Sequence, residues 1–309
     1  MEQKLNFPEK ELLDKAINTL KSIDLKKVSY EKILYYLIKE IVVLPITVAK
    51  IIKGYPVFRA RVNKDDEIFY SENEISYRVD NDNIKDYGRA NIPKQSMFYG
   101  AIESKEVPHP RLVNLFETSE LFREPNDKDG EFILTVGKWR VKEDFKVIEM
   151  VFSKGNVQNN EDINRSYNKQ KEMMLKDYPD QLDQIEKILE FFSDEFAKKV
   201  KNSNSDYKIT TAYLNLALMN KQDLCGVTYP SVRTDYKANN IAIFPSVVEQ
   251  FLDLEMVSMF NIKKSGKNAS MDNLAIAFNL GDLNTNFEWI DIQGKNQTEI
   301  NEIYKSFKK

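Results

Sequence analysis

The stretch Gly226–Pro245, GVTYPSVRTDYKANNIAIFP, is the one around which the rest of the chain can be read. A short apolar run leads into Tyr229, Pro230, Ser231 and Arg233. Lys237, Asn239 and Asn240 follow, then a strand-like NIAIF that stops at Pro245. Pro230 removes a backbone donor and holds the chain extended or turned just before Ser231. The plain expectation is a turn between two strands, with Ser231 capping its own backbone. The sharper one is that the Ser231 hydroxyl, standing at the end of an element, belongs to a site, because sites tend to be built there.

Outside this stretch, composition narrows the choices. The chain has 309 residues, 42% hydrophobic and 30% charged, which supports a real core in one large domain or two small ones. A net charge of only -3 carries no basic signature and argues against nucleic acid as a partner. The single cysteine, Cys225, excludes an internal disulfide and a thiolate zinc cluster and fits a reducing compartment. The single histidine, His109, lies between Pro108 and Pro110, so a His-rich metal site is excluded. A Ser–His or Cys–His nucleophile would depend on that one loop residue. No metal is expected, and no phosphate-binding glycine loop is present. Met1–Ser22 is charged throughout and lacks the apolar centre of a signal peptide. The longest uncharged apolar run, Ile41–Ala49, is too short to span a bilayer. These features read as a soluble, cytoplasmic chain without a membrane partner.

Periodicity divides the chain coarsely. Phe7–Ser22 places Leu12, Leu13, Ala16, Ile17 and Leu20 at helical spacing, and Ser29 can cap a second helix that Pro45 interrupts. Residues 1–53 are therefore expected to form an N-terminal helical region. From Val57 the pattern shortens: VFRARV puts Arg59 and Arg61 on one strand face and Phe58 and Ala60 on the other. Phe132–Val141 and Phe145–Phe152 read as strands, Glu161–Lys176, Gln181–Val200 and Tyr207–Asn220 as helices. A short helix at Ser246–Asp253 is followed by strands near Leu254–Phe260, Asn273–Leu280 and Phe287–Ile292, and by a helical tail, Thr298–Phe307. The expected class is α+β, a small mixed or antiparallel two-sheet core over residues 54–309 with inserted helices at about 156–220.

The second informative stretch is Asp86–Tyr99, DYGRANIPKQSMFY. Gly88 permits a turn, Arg89 follows it, and Met97-Phe98-Tyr99 begins a strand. An arginine offered from a loop beside an aromatic suits an anionic, flat ligand. A surface ion pair for Arg89 and a core position for Tyr99 are the ordinary alternatives.

FRAR at Phe58–Arg61, GRAN at Gly88–Asn91, FYGA at Phe98–Ala101, FETSE at Phe116–Glu120 and YPSVR at Tyr229–Arg233 occur in that order. Together they resemble the RES-domain family, over roughly Tyr55 to Phe260. The family consists of bacterial toxins of toxin–antitoxin pairs, with an ADP-ribosyltransferase-like fold, that cleave NAD by hydrolysis or phosphorolysis or transfer its ADP-ribose to protein. The resemblance implies an NAD glycohydrolase, phosphorylase or ADP-ribosyltransferase, acting as a growth-arresting toxin or defence effector, with NAD as substrate and a cognate antitoxin as partner. A catalytically inactive binding protein on the same fold is the alternative. The N-terminal helices are candidates for regulating the site or for mediating a homo-oligomer.

Carried over by position, the resemblance makes Glu117 and Ser231 catalytic and places Arg59, Arg89, Tyr99 and Tyr229 on NAD, with Arg61 as second choice to Arg59. Two departures stand out. Ala90 replaces the family's tryptophan, and 17 residues separate Tyr99 from Glu117, more than the family's short spacing, so Glu103 and Glu120 remain alternatives for the glutamate. The chemistry suits this set. Nicotinamide leaves as a neutral group through an oxocarbenium-like transition state, so no general acid is required. A carboxylate near the developing positive charge is enough.

Overall fold

The computed structural model describes residues 5–65, 67–123, 128–200, 204–219, 221, 223–278 and 286–307. Ten strands are present among them: β1 (Val48–Ile51), β2 (Pro56–Asn63), β3 (Phe98–Ile102), β4 (Gly130–Val141), β5 (Phe145–Glu149), β6 (Leu224–Pro230), β7 (Asn239–Ile243), β8 (Leu252–Ser265), β9 (Asn268–Ala277) and β10 (Ile290–Asp291). The helices are α1 (Lys10–Ser22), α2 (Tyr30–Tyr36), α3 (Glu72–Ile75), α4 (Pro110–Thr118), α5 (Glu120–Arg123), α6 (Lys154–Asn159), α7 (Glu161–Asp177), α8 (Leu182–Phe196), α9 (Lys208–Met219), α10 (Pro245–Phe251) and α11 (Gln297–Phe307).

The Gly226–Pro245 stretch is the β6–β7 hairpin, paired antiparallel from Gly226↔Ile243 to Pro230↔Asn239. Its loop turns tightly, with Asp235 at φ 49° and Tyr236 at φ 67°. Backbone bonds close it: the Ser231 amide donates to the Ala238 carbonyl at 2.7 Å, and the Ser231 carbonyl accepts from Tyr236 at 3.1 Å. Gly226 has no substitute here. Its φ is +153°, and a Cβ would lie 2.1 Å from the Ala242 carbonyl oxygen.

All ten strands belong to one mixed sheet, in the order β1-β5-β6-β7-β3-β2-β4-β8-β9-β10. The class is α+β, as expected, but the two-sheet core is replaced by a single hydrogen-bonded sheet. Every pairing is antiparallel except β5 with β6. Parallel neighbours need a long crossover, and α6 to α9 occupy that connection. The inserted helices are thus a topological requirement of the β5–β6 pair.

The N-terminal helices share a core with this crossover. Leu13, Ile17, Leu20, Ile33 and Leu37 pack in one cluster with Ile188 and Phe192 of α8, Tyr213 of α9, and Val227 and Tyr229 of β6. Burying each such side chain contributes roughly 1.5–3 kcal/mol. Before residue 54, β1 already joins the sheet at the edge of β5. On the opposite face a second cluster contains Val57, Phe98, Trp139, Ile241 and Ile243, with Phe98 and Trp139 edge to face at 5.0 Å.

Candidate functional site

Glu117 sits near the end of α4. The helix starts at Pro110, whose missing N–H costs nothing in the first turn, and its buried face carries Val113 and Leu115 onto the sheet at β2 and β3. That docking brings the last turn against the β6–β7 hairpin. The Ser231 hydroxyl donates to Glu117 Oε1 at 2.7 Å, and the Asn240 side-chain amide donates to the same oxygen at 3.0 Å. Ser231 is fully buried and Glu117 is half-buried. Ser231 therefore spends its hydroxyl on the carboxylate and not on its own backbone. Both donors converge on Oε1, so the carboxylate is oriented, and among the described residues none donates to Oε2.

Register explains the surroundings. Ala101, Asn240 and Tyr229 lie side by side across β3, β7 and β6, as do Tyr99, Ala242 and Val227. Strand side chains alternate between faces, so Tyr99, Tyr229 and Asn240 share a face. Tyr229 packs on Phe196 with ring centroids 5.8 Å apart. The Arg89 guanidinium lies 5.1 Å from the Tyr207 ring and 5.8 Å from that of Tyr229. Its nitrogens donate to the Phe196 and Lys198 carbonyls at 2.5 and 2.7 Å, the first at the C-terminal end of α8 and the second just beyond it. The Tyr99 hydroxyl accepts from the Ala90 amide at 3.0 Å and donates to Asn91 Oδ1 at 2.6 Å, which ties down the Arg89 loop. A Cβ on Gly88 would meet that hydroxyl at 2.6 Å. Burial pushes the Tyr99 phenol up and the Tyr229 phenol well up, Tyr229 being raised further by Tyr99 and Glu117 and held back by Arg89. Both phenols stay neutral at physiological pH.

Arg59 lies elsewhere. It follows Phe58 on β2, where pairing with β3 ends at Phe58↔Ala101, and it points to the face carrying Val57 and Trp139. Its guanidinium donates to the Ile75 and Ser76 carbonyls at 3.2 and 3.0 Å and to the Tyr99 carbonyl at 2.7 Å, bridging the opening between the two strands. Burial, reinforced by the charge of Arg61, lowers it to about 9, so it remains cationic at neutral pH. Arg61 donates to the Ser76 carbonyl at 3.0 Å.

A cleft of about 380 Å³ opens at this splay, lined by Arg59, Arg78, Gly88, Asn91, Ser96 and Tyr99. The Ser96 hydroxyl is buried and has no hydrogen-bond partner among the described residues. Two guanidinium groups and a spare hydroxyl suit an anion. Tyr99 contributes to both places, as a wall of the cleft and as the neighbour of the Glu117 face.

The structure thus gathers Glu117, Ser231, Tyr229, Tyr99 and Arg89 around one face of β6, β7 and β3, and sets Arg59 on the other face. Glu103 and Glu120 are exposed; of the three glutamates, Glu117 is the one bonded to Ser231. His109 is exposed and precedes α4. Cys225 is half-buried, and burial raises its thiol. Among the described residues no group of His, Cys, Asp or Glu is arranged to hold a metal ion, and no helix is long and apolar enough to cross a membrane. Asn240 and Tyr207 are participants that motif reading missed. The signal for Asn240 was its placement opposite Tyr229 once the hairpin is paired. Tyr207 carries no local signal, because its approach to Arg89 depends on how the crossover helices pack.

No protein-family model matches the chain, and no curated protein matches it.

Proposed function

We propose that the protein is an NAD-consuming enzyme of the RES type, on an ADP-ribosyltransferase-like core, that cleaves the nicotinamide–ribose bond. The observation that supports this most is the hydrogen-bonded set Ser231–Glu117–Asn240, which joins residues 114 and 123 positions apart in the sequence around one carboxylate. In this reading Oε2 of Glu117 faces the nicotinamide ribose and stabilises the positive charge that develops as the bond breaks. Ser231 and Asn240 hold the carboxylate in place. Tyr99 and Tyr229 form the aromatic side of the site. The cleft takes the pyrophosphate on Arg78, with Ser96 as an additional donor, and Arg59, whose Nε and Nη1 are held by backbone carbonyls, contributes positive charge at its wall. Nicotinamide leaves with the bonding electron pair, and water, phosphate or a protein nucleophile closes the ribose carbon, giving ADP-ribose, its phosphate ester or a modified protein. A cytoplasmic toxin restrained by a cognate antitoxin fits that activity.

The test is nicotinamide release from NAD by the purified chain, wild type beside Glu117→Gln. Release that disappears in the variant supports the reading. Equal release by both would sink the assignment of Glu117. A second reading, an inactive binding protein on the same scaffold, draws on one observation: Arg59 and Arg89 both commit their guanidinium groups to backbone carbonyls. No release from NAD by the wild type, with or without lysate protein as acceptor, would favour it.

A further inference from the structure

Asn239 precedes Asn240 on β7 and faces the opposite way. It is 7% exposed, and its side-chain oxygen has no hydrogen-bond partner among the described residues. Buried polar atoms are almost always satisfied, so such an orphan needs an explanation. Asn239 lines a cavity of about 260 Å³ on that face, bordered by Tyr55, Ile102, Glu149, Ile163 and Thr228. The walls are mostly apolar. Glu149 is half-buried, and its carboxylate accepts from the Ser166 hydroxyl and is also bonded by Gln170. The Tyr55 hydroxyl is engaged, donating to the Glu103 carbonyl at 3.1 Å, and Tyr55 adds an aromatic side chain to the lining. Exposed Lys50 and Ile52 also border the cavity and place its mouth at the solvent side of β1.

We propose that this cavity is a second small-molecule site, for a planar, nucleobase-sized ring carrying N–H donors, separate from the Glu117 cluster. Two acceptors, Asn239 Oδ1 and the Glu149 carboxyl, stand in a mostly apolar box with an aromatic wall. A ring with an exocyclic amine and a ring N–H satisfies both and fills the rest by apolar contact. The volume sits just under the ~300–1,000 Å³ range of drug-sized pockets, which limits the occupant to a base and excludes a dinucleotide. Burial raises the Glu149 carboxyl, and its hydrogen bonds from Ser166 and Gln170 hold that rise back. Tyr229 borders both places, but the proposal does not depend on NAD cleavage, since Asn239 and the Glu117–Asn240 set lie on opposite faces of β7.

The experiment is calorimetric titration of the full chain with adenine, and with purine, which keeps the ring and lacks the amine. Wild type is compared with Asn239→Ala, Ser231→Ala and Ile163→Phe. Adenine is expected to bind with a dissociation constant below about 1 mM and purine at least about tenfold more weakly. Asn239→Ala, which removes no existing hydrogen bond and should fold, is expected to weaken adenine by about tenfold or more. Ile163→Phe should occlude the cavity, and Ser231→Ala should leave binding unchanged. The proposal is overturned if adenine does not bind the wild type, if Asn239→Ala binds it equally well, or if binding is lost in Ser231→Ala and kept in Asn239→Ala, which would put adenine in the Glu117 region. A misfolded Ile163→Phe, seen by circular dichroism, leaves the Asn239→Ala comparison to decide.

Discussion

Asn239 and Asn240 are chemically identical neighbours, and the two faces of β7 use them in opposite ways. On one face Asn240 completes a set with Glu117 and Ser231 in which side chains hold one another. On the other, Asn239 borders an open cavity without a partner, and Arg59 spends its donors on main-chain carbonyls. The first face has a carboxylate oxygen to offer a substrate. The second invests its charge in keeping β2, α3 and β3 together. An arginine in a motif can thus be an architectural part, and burial alone does not separate the roles. What separates them is whether the partners are backbone atoms, already fixed, or side chains that leave an atom free.

The contrast can be broken most decisively at Glu117. Glu117→Gln keeps the shape and removes the charge, and nicotinamide release is expected to fall by about 10²–10³ in kcat, with the melting temperature barely changed. Next is Arg59→Ala. It removes the Arg59 bonds to the Ile75, Ser76 and Tyr99 carbonyls, of which Ser76 keeps Arg61, and should lower stability by about 2 kcal/mol or more in urea unfolding. If unfolding is unchanged while only KM for NAD rises, Arg59 is a ligand contact and the two faces are less distinct than drawn.

The asparagine pair provides a matched comparison. Asn240→Ala removes a donor to a carboxylate and should cost about 1–2 kcal/mol, whereas Asn239→Ala should be neutral or stabilising. Equal losses would erase the difference between the faces. The smallest effect is expected at Glu149, where burial raises the carboxyl above its ordinary value. In the pH window between the ordinary and the raised value the folded state holds more protons than the unfolded one, so this residue's contribution falls as pH rises and its cost is complete above the window. Glu149→Gln should therefore be more stable than wild type at pH near 7, with the gap closing below the ordinary carboxylate range. Urea midpoints taken across that range would show it.

Much of this was legible in the residues. The crossover helices followed from spacing: Ile185, Ile188, Leu189, Phe192 and Phe196 form the buried stripe of α8. The alternation in FRAR placed Arg59 and Arg61 together, away from Phe58 and Ala60, and they are so placed. What could not be read was which face α4 would cover. That depends on a helix of nine residues, Pro110–Thr118, whose amphipathic face does not say which side of the sheet it will meet and whose last turn carries the motif glutamate. Nor could the single sheet be foreseen, because the β5–β6 pairing joins strands separated by the entire crossover, and no local signal marks such a partner. Ser231 shows the limit of local reasoning. Its backbone closes the turn as turn chemistry predicts, while its hydroxyl is claimed by a residue from a distant helix.

The glycine at position 226 has a consequence for how the chain goes wrong. Because the side-chain period along a strand is two, sliding β7 by a single residue past β6 would exchange the faces of Asn239 and Asn240. The carboxylate and the cavity would lose their asparagines in the same step. The close approach of Gly226 to Ala242 works as a detent against that slip, since one position on β6 accepts the crowding and its neighbours, which carry side chains, do not. Any residue larger than glycine there should yield a hairpin free to settle out of step, recognisable as a folded population in which both faces fail together while the helices remain intact.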